Sequence, residues 1–67
     1  MLELDVILLP FSQKIYPTLS SESQSIYWEL LGCEDQDLFS WFMRRNQPSS
    51  TQLMTMVDMV LNNVKPA

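Results

Sequence analysis

The residues able to do chemistry in this chain are its serines, a single cysteine and its carboxylates. Serine or cysteine nucleophiles need a neighbouring base, most often an imidazole, and the chain contains no histidine. Cys33 is followed directly by Glu34 and Asp35, and nearby negative charge raises a thiol pKa and depletes the thiolate. Cys33 therefore reads as structural or incidental. Glu34, Asp35 and Asp37 form a carboxylate cluster, but they lack the spaced oxygen ligands and interior glycine of an EF-hand loop. Helix capping accounts for them without a metal. Paired carboxylates would also need a pocket, which a chain of 67 residues seldom encloses. Neither an enzyme nor a metal site is expected, and no cofactor is expected to be held stably.

Eight acidic residues against Lys14, Arg44, Arg45 and Lys65 give a net charge of −4. So few cations cannot track a phosphate backbone, so nucleic acid is excluded as a partner. The sign favours encounter with a basic surface, although salt screens most of the steering. A lone cysteine fits a reducing compartment, and Glu3 and Asp5 stand where a signal peptide would be positive, so the cytoplasm is expected. The run Val6 to Leu9 is far shorter than the about 20 apolar residues that span a bilayer, and no membrane segment is expected.

What remains is a surface that holds something, positioned by helices. Punctuation at Ser20-Ser21, at Gly32 to Asp35 and at Asn46 to Ser50 divides residues 1–67 into four segments of one domain. The expected fold is all-α, a small helical bundle with helices near 1 to 16, 21 to 31, 36 to 45 and 50 to 63. The first segment is ambiguous: Leu2, Leu4, Val6 and Leu8 alternate like a strand, while Met1, Leu4, Leu8, Phe11 and Ile15 recur like a helix stripe. Helix is preferred because no other segment offers a β-branched run to pair with. Pro10 should kink it. Ser20 or Ser21 should open the second helix, with Gln24 completing a capping box from Ser21, and Gly32 should close it in the left-handed conformation. Asp35 should cap the third helix, Arg44 and Arg45 should lie in its last turn, and Asn46 should end it. Ser49 with Gln52 should cap the fourth.

The apolar inventory exceeds one core. Beyond its stripe the first helix carries Leu2, Ile7 and Leu9, and the third carries Phe39 and Met43 besides Leu38, Trp41 and Phe42. Trp28 and Met59 also fall off the main faces of their helices. A first helix buried by the other three and a first helix with an exposed binding face are both consistent with this pattern.

Several strings resemble the SdhE family: Met-Leu-Glu-Leu-Asp at 1 to 5, Leu9-Pro10-Phe11, Leu19-Ser20, Leu30-Leu31, Asp35-Gln36-Asp37-Leu38-Phe39 with Trp41, and Pro48 ahead of Met56-Val57. The resemblance implies a five-helix bundle that binds the flavoprotein subunit of succinate dehydrogenase or fumarate reductase and promotes covalent attachment of FAD to that client. FAD is thus implied in the client rather than in this chain. The family's signature is Arg-Gly-x-x-Glu; here Met1 and Leu2 occupy its variable positions and Glu3 its glutamate, while the Arg-Gly and the family's first helix are missing. Gln36 stands where the family commonly has proline.

On this reading the chain is an assembly chaperone whose client-binding residues are Glu3, Met1, Leu2, Asp5, Ile7 and Pro10. A helical wheel places Glu3 with Ile7, Pro10 and Lys14, away from the core stripe, so its carboxylate should reach solvent. Taken alone, Glu3 would be a solvated first-turn residue favouring the helix dipole. A homodimer through the exposed first helix is a further expectation. The alternative function is an antitoxin-like or other protein-protein interaction module without a flavoprotein client.

Overall fold

A computed structural model describes residues 2–64, with the side chain of Leu2 outside the description. Four α-helices follow one another: α1 (Leu2–Lys14), α2 (Ser21–Leu31), α3 (Asp35–Phe42) and α4 (Thr51–Asn63), with a 3-10 turn (Tyr16–Thr18) between the first two. No strand occurs among the described residues, so the all-α expectation holds.

The first helix continues through Pro10 and stops at Lys14, two residues before the expected end. Pro17 has no amide with which to extend the ladder. The chain tightens instead into the 3-10 turn, where the Thr18 amide and hydroxyl both donate to the Ile15 carbonyl, at 2.9 and 2.6 Å.

Each serine cap falls one residue from the expected box. Ser20 caps α2, its Oγ accepting from the Ser23 amide at 3.2 Å, and Ser50 caps α4, accepting from the Leu53 amide at 3.3 Å. Neither the Ser21–Gln24 nor the Ser49–Gln52 box forms; Gln24 reaches instead across the connection to donate to the Tyr16 carbonyl at 3.0 Å. With adjacent serines, the cap goes to the residue that is extended, and Ser20 has φ −65° and ψ 162°.

Two helix ends reverse the expected chemistry. Gly32 is right-handed, with φ −77° and ψ −8°. The left-handed residue is Arg44, with φ 58°. Arg44 donates its amide to the Trp41 carbonyl at 3.1 Å and Arg45 to the Ser40 carbonyl at 2.9 Å, the paired bonds of a Schellman motif. That motif ends α3 at Phe42, so Arg44 and Arg45 lie beyond the helix and Asn46 does not terminate it. At the other end Glu34 occupies the cap position without a side-chain bond from its carboxylate, and Asp35 is already helical rather than the cap.

The core consists of Leu4 and Phe11 from α1, Tyr27 and Leu30 from α2, Leu38, Trp41 and Phe42 from α3, and Met56, Val57 and Val60 from α4. Fully burying one such side chain is worth about 1.5–3 kcal/mol. No charged side chain is buried, and no buried side-chain nitrogen or oxygen lacks a partner among the described residues. The broadest helix-to-helix contact joins α2 to α4, and α1 lies against both α3 and α4. Val64, which caps the end of α4, is exposed.

Candidate functional site

The surface of α1 follows from its wheel. Leu4 and Phe11 point into the core, with Leu8 and Ile15 partly buried beside them. Glu3 and Lys14 are exposed, and Ile7 and Pro10 between them are half-buried. Residues three or four apart on a helix are neighbours, so Glu3, Ile7 and Pro10 form one edge. Asp5 is exposed but two positions on from Glu3, which turns it to a different side. The proposed contact residues thus divide between two sides of the helix. Met1 and the side chain of Leu2 lie outside the described residues.

Ile7 corrects one expectation. It packs against the core, and the outer apolar ridge of α1 is built by Leu9, as expected, 55% exposed, with Val6, 66% exposed, in place of Ile7. The signal was present as the spacing of three between Val6 and Leu9, which the alternating pattern of the segment hid. In α3 the second stripe divides: Phe39 is half-buried under the Arg45 guanidinium, 5.9 Å from its ring centre, while Met43 is exposed.

The titratable groups show little tuning. Burial pushes the Tyr27 phenol above its ordinary value, partly opposed by its hydrogen bond with the Ser12 hydroxyl at 2.5 Å. Burial also raises the Cys33 thiol, helped by the carboxylates of Asp37 and Glu29. The upward direction matches the sequence reading, but burial leads and those two carboxylates contribute, in place of Glu34 and Asp35. The thiol also donates a long bond to the Glu29 carbonyl at 3.6 Å. A thiol held protonated is a poor nucleophile. Among the described residues no three metal-ligating side chains converge, and no enclosed cavity forms. What these residues present is open surface. No helix among them is long and apolar enough to cross a membrane.

Comparison with known proteins adds to this geometry. A protein-family model described as "Flavinator of succinate dehydrogenase" matches residues 1–64. A Pseudomonas aeruginosa protein named FAD assembly factor SdhE is 53% identical over 66 residues, covering 98% of this chain and 79% of that protein. A protein of the same name from Pseudomonas putida is 50% identical over 66 residues, with the same coverage of 98% and 79%. One from Idiomarina loihiensis is 40% identical over 65 residues, covering 97% of this chain and 72% of that protein.

Proposed function

The chain belongs to the SdhE family of FAD assembly factors, and from that premise we propose that it binds the flavoprotein subunit of succinate dehydrogenase or fumarate reductase and promotes covalent attachment of FAD to that client, in the cytoplasm. The observation that carries the reading is the family match over residues 1–64. FAD belongs to the client. The chain acts by holding a conformation of the client rather than by supplying a reacting group, a role that asks nothing of the thiol or of a catalytic base.

The client-binding side is α1. Glu3 is its charged element: exposed on the first turn, its carboxylate accepts from a basic group or backbone amides of the client. Ile7 and Pro10 flank it, Asp5 and the Val6–Leu9 ridge lie around the helix, and Met1 and Leu2 precede it. Two copies could also meet through that ridge. Sedimentation velocity over a wide concentration range reads such self-association separately from client binding.

The decisive experiment co-expresses this chain with a succinate dehydrogenase flavoprotein subunit in cells lacking their own assembly factor and reads covalent flavin fluorescence on a denaturing gel. Fluorescence above the empty control is expected, and none above it removes the proposal. Glu3→Gln then separates a contact from a helix-dipole residue. A charged hydrogen bond contributes about 1.5–3 kcal/mol, so the variant should keep its melting temperature and pull down the flavoprotein roughly ten- to a hundredfold more weakly. Undiminished pull-down would return Glu3 to the solvated surface.

A further inference from the structure

Trp28 is 63% exposed, yet it is not loosely held. Its indole Nε1 donates to the Tyr16 hydroxyl at 2.7 Å, and the two rings meet edge to face at 6.2 Å and 85°. Tyr16 packs against Tyr27 at 5.4 Å and Tyr27 against Phe11 at 5.1 Å, so the exposed indole is the outermost ring of a series that begins in the core. Fixing a ring while leaving most of it in water costs side-chain freedom and removes only a minor part of its apolar area from solvent. A partner that covers it buries the remaining apolar area without paying the ordering cost again, and pre-positioned aromatic rings are what interfaces use as anchors.

The surroundings select the partner. Ser25, one turn before Trp28, and Gly32, one turn after, are both exposed and too small to cover the ring. The helix carries Glu22 and Glu29 and no basic residue. Asp37 stands in the first turn of α3, which follows α2 after three residues, so that turn adds its negative charge at the end of α2 that follows Trp28. An open indole face bordered by carboxylates suits a cation, and arginine suits it better than lysine, because a planar guanidinium stacks on a ring and pairs with a carboxylate at once.

We infer that the exposed side of α2, centred on Trp28 with Glu29 and Asp37 beside it, docks an arginine-bearing basic segment of a partner protein. The guanidinium lies over the indole and donates to the Glu29 carboxylate. This surface is on a different helix from Glu3 and does not rest on the flavoprotein reading.

The test uses the whole chain, labelled with nitrogen-15, titrated with a capped peptide of alternating glycine and arginine, and with glycine–glutamate and glycine–serine peptides as controls. Expected are saturable shifts of the Trp28 indole N–H and of α2 amides with the arginine peptide alone, diminishing as salt is added. Trp28→Ala and Glu29→Gln should each weaken binding about two- to fivefold, as for an exposed cation–π or ion pair, while circular dichroism stays unchanged. Shifts centred on another surface, equal shifts with a control peptide, or undiminished binding by a folded Trp28→Ala chain would each overturn the inference. Should Trp28→Ala not fold, the indole N–H shift in the unaltered chain decides alone.

Discussion

Between α1 and α2 the chain turns on Tyr16, whose carbonyl accepts from Gln24, whose hydroxyl accepts from Trp28 and whose ring packs on the buried Tyr27. Between α3 and α4 it turns on Arg44, a left-handed residue whose guanidinium pairs with Asp58 at 2.7 Å, both side chains about half exposed at 51% and 48%. The first connection takes its order from the core and the second from the surface. Substitutions in the first should therefore act through lost volume and buried polar groups, and those in the second through one backbone angle and one screened charge pair.

The largest expected effect is that of Tyr27→Ala, which opens a cavity between Phe11 and Tyr16 and should lower unfolding free energy by about 3–5 kcal/mol in urea titration. A loss below about 1 kcal/mol would break the contrast. Next is the part-buried hydroxyl pair. Ser12→Ala removes the nearer partner of the Tyr27 phenol and leaves it the long bond to the Leu8 carbonyl at 3.5 Å, which should cost about 1 kcal/mol. Tyr27 also makes a pH prediction. Its pKa is raised in the folded chain, chiefly by burial, so the neutral phenol is the form that folding favours. That contribution is fully present below the ordinary tyrosine value near 10 and is lost as pH rises through the raised folded value. Alkaline unfolding followed by circular dichroism should show the loss, and Tyr27→Phe should reduce it.

Smaller effects belong to the second connection. Arg44→Gly removes left-handed strain of about 1 kcal/mol and also the ion pair, which exposed pairs value at about 0.2–1 kcal/mol. A net gain of a few tenths of a kcal/mol is expected, and it should grow with added salt as the wild-type pair is screened. Destabilisation beyond about 1 kcal/mol would show that the pair, not the backbone, holds the turn. The smallest effect is that of Gly32→Ala. A Cβ there would meet the Glu29 carbonyl at 3.4 Å, an ordinary contact, and the backbone is right-handed, so the thermal midpoint should hold or rise slightly.

These same two helix ends show how far the sequence could be read. Hydrophobic spacing placed all four helices and most of the core, because Tyr27 with Leu30, Leu38 with Trp41 and Phe42, and Met56 with Val57 and Val60 repeat at helical intervals. Local terminator rules misassigned the ends. They gave the left-handed role to the only glycine, whereas the contact of α3 with α4 sets where the chain must reverse and imposes that role on an arginine. Serine pairs at 20–21 and 49–50 offered two caps for each helix, and composition cannot choose between neighbours. Of the surface, the exposure of Glu3 was legible through its place on the helical wheel and that of Trp28 through its place off the main face. The turning of Ile7 inward and Val6 outward depended on how α1 rotates against α3 and α4, which no single segment records.

The pairing of α2 with α4 also has a consequence for synthesis. Tyr27 and Leu30 leave the ribosome well before Met56, Val57 and Val60, the residues that complete the core they share. A chain made at roughly 5–20 residues per second therefore spends a second or more with its first two helices formed or forming and their inner faces still wet. Until then the core that α2 shares with α4 lacks one of its walls, and its closure waits on the last helix.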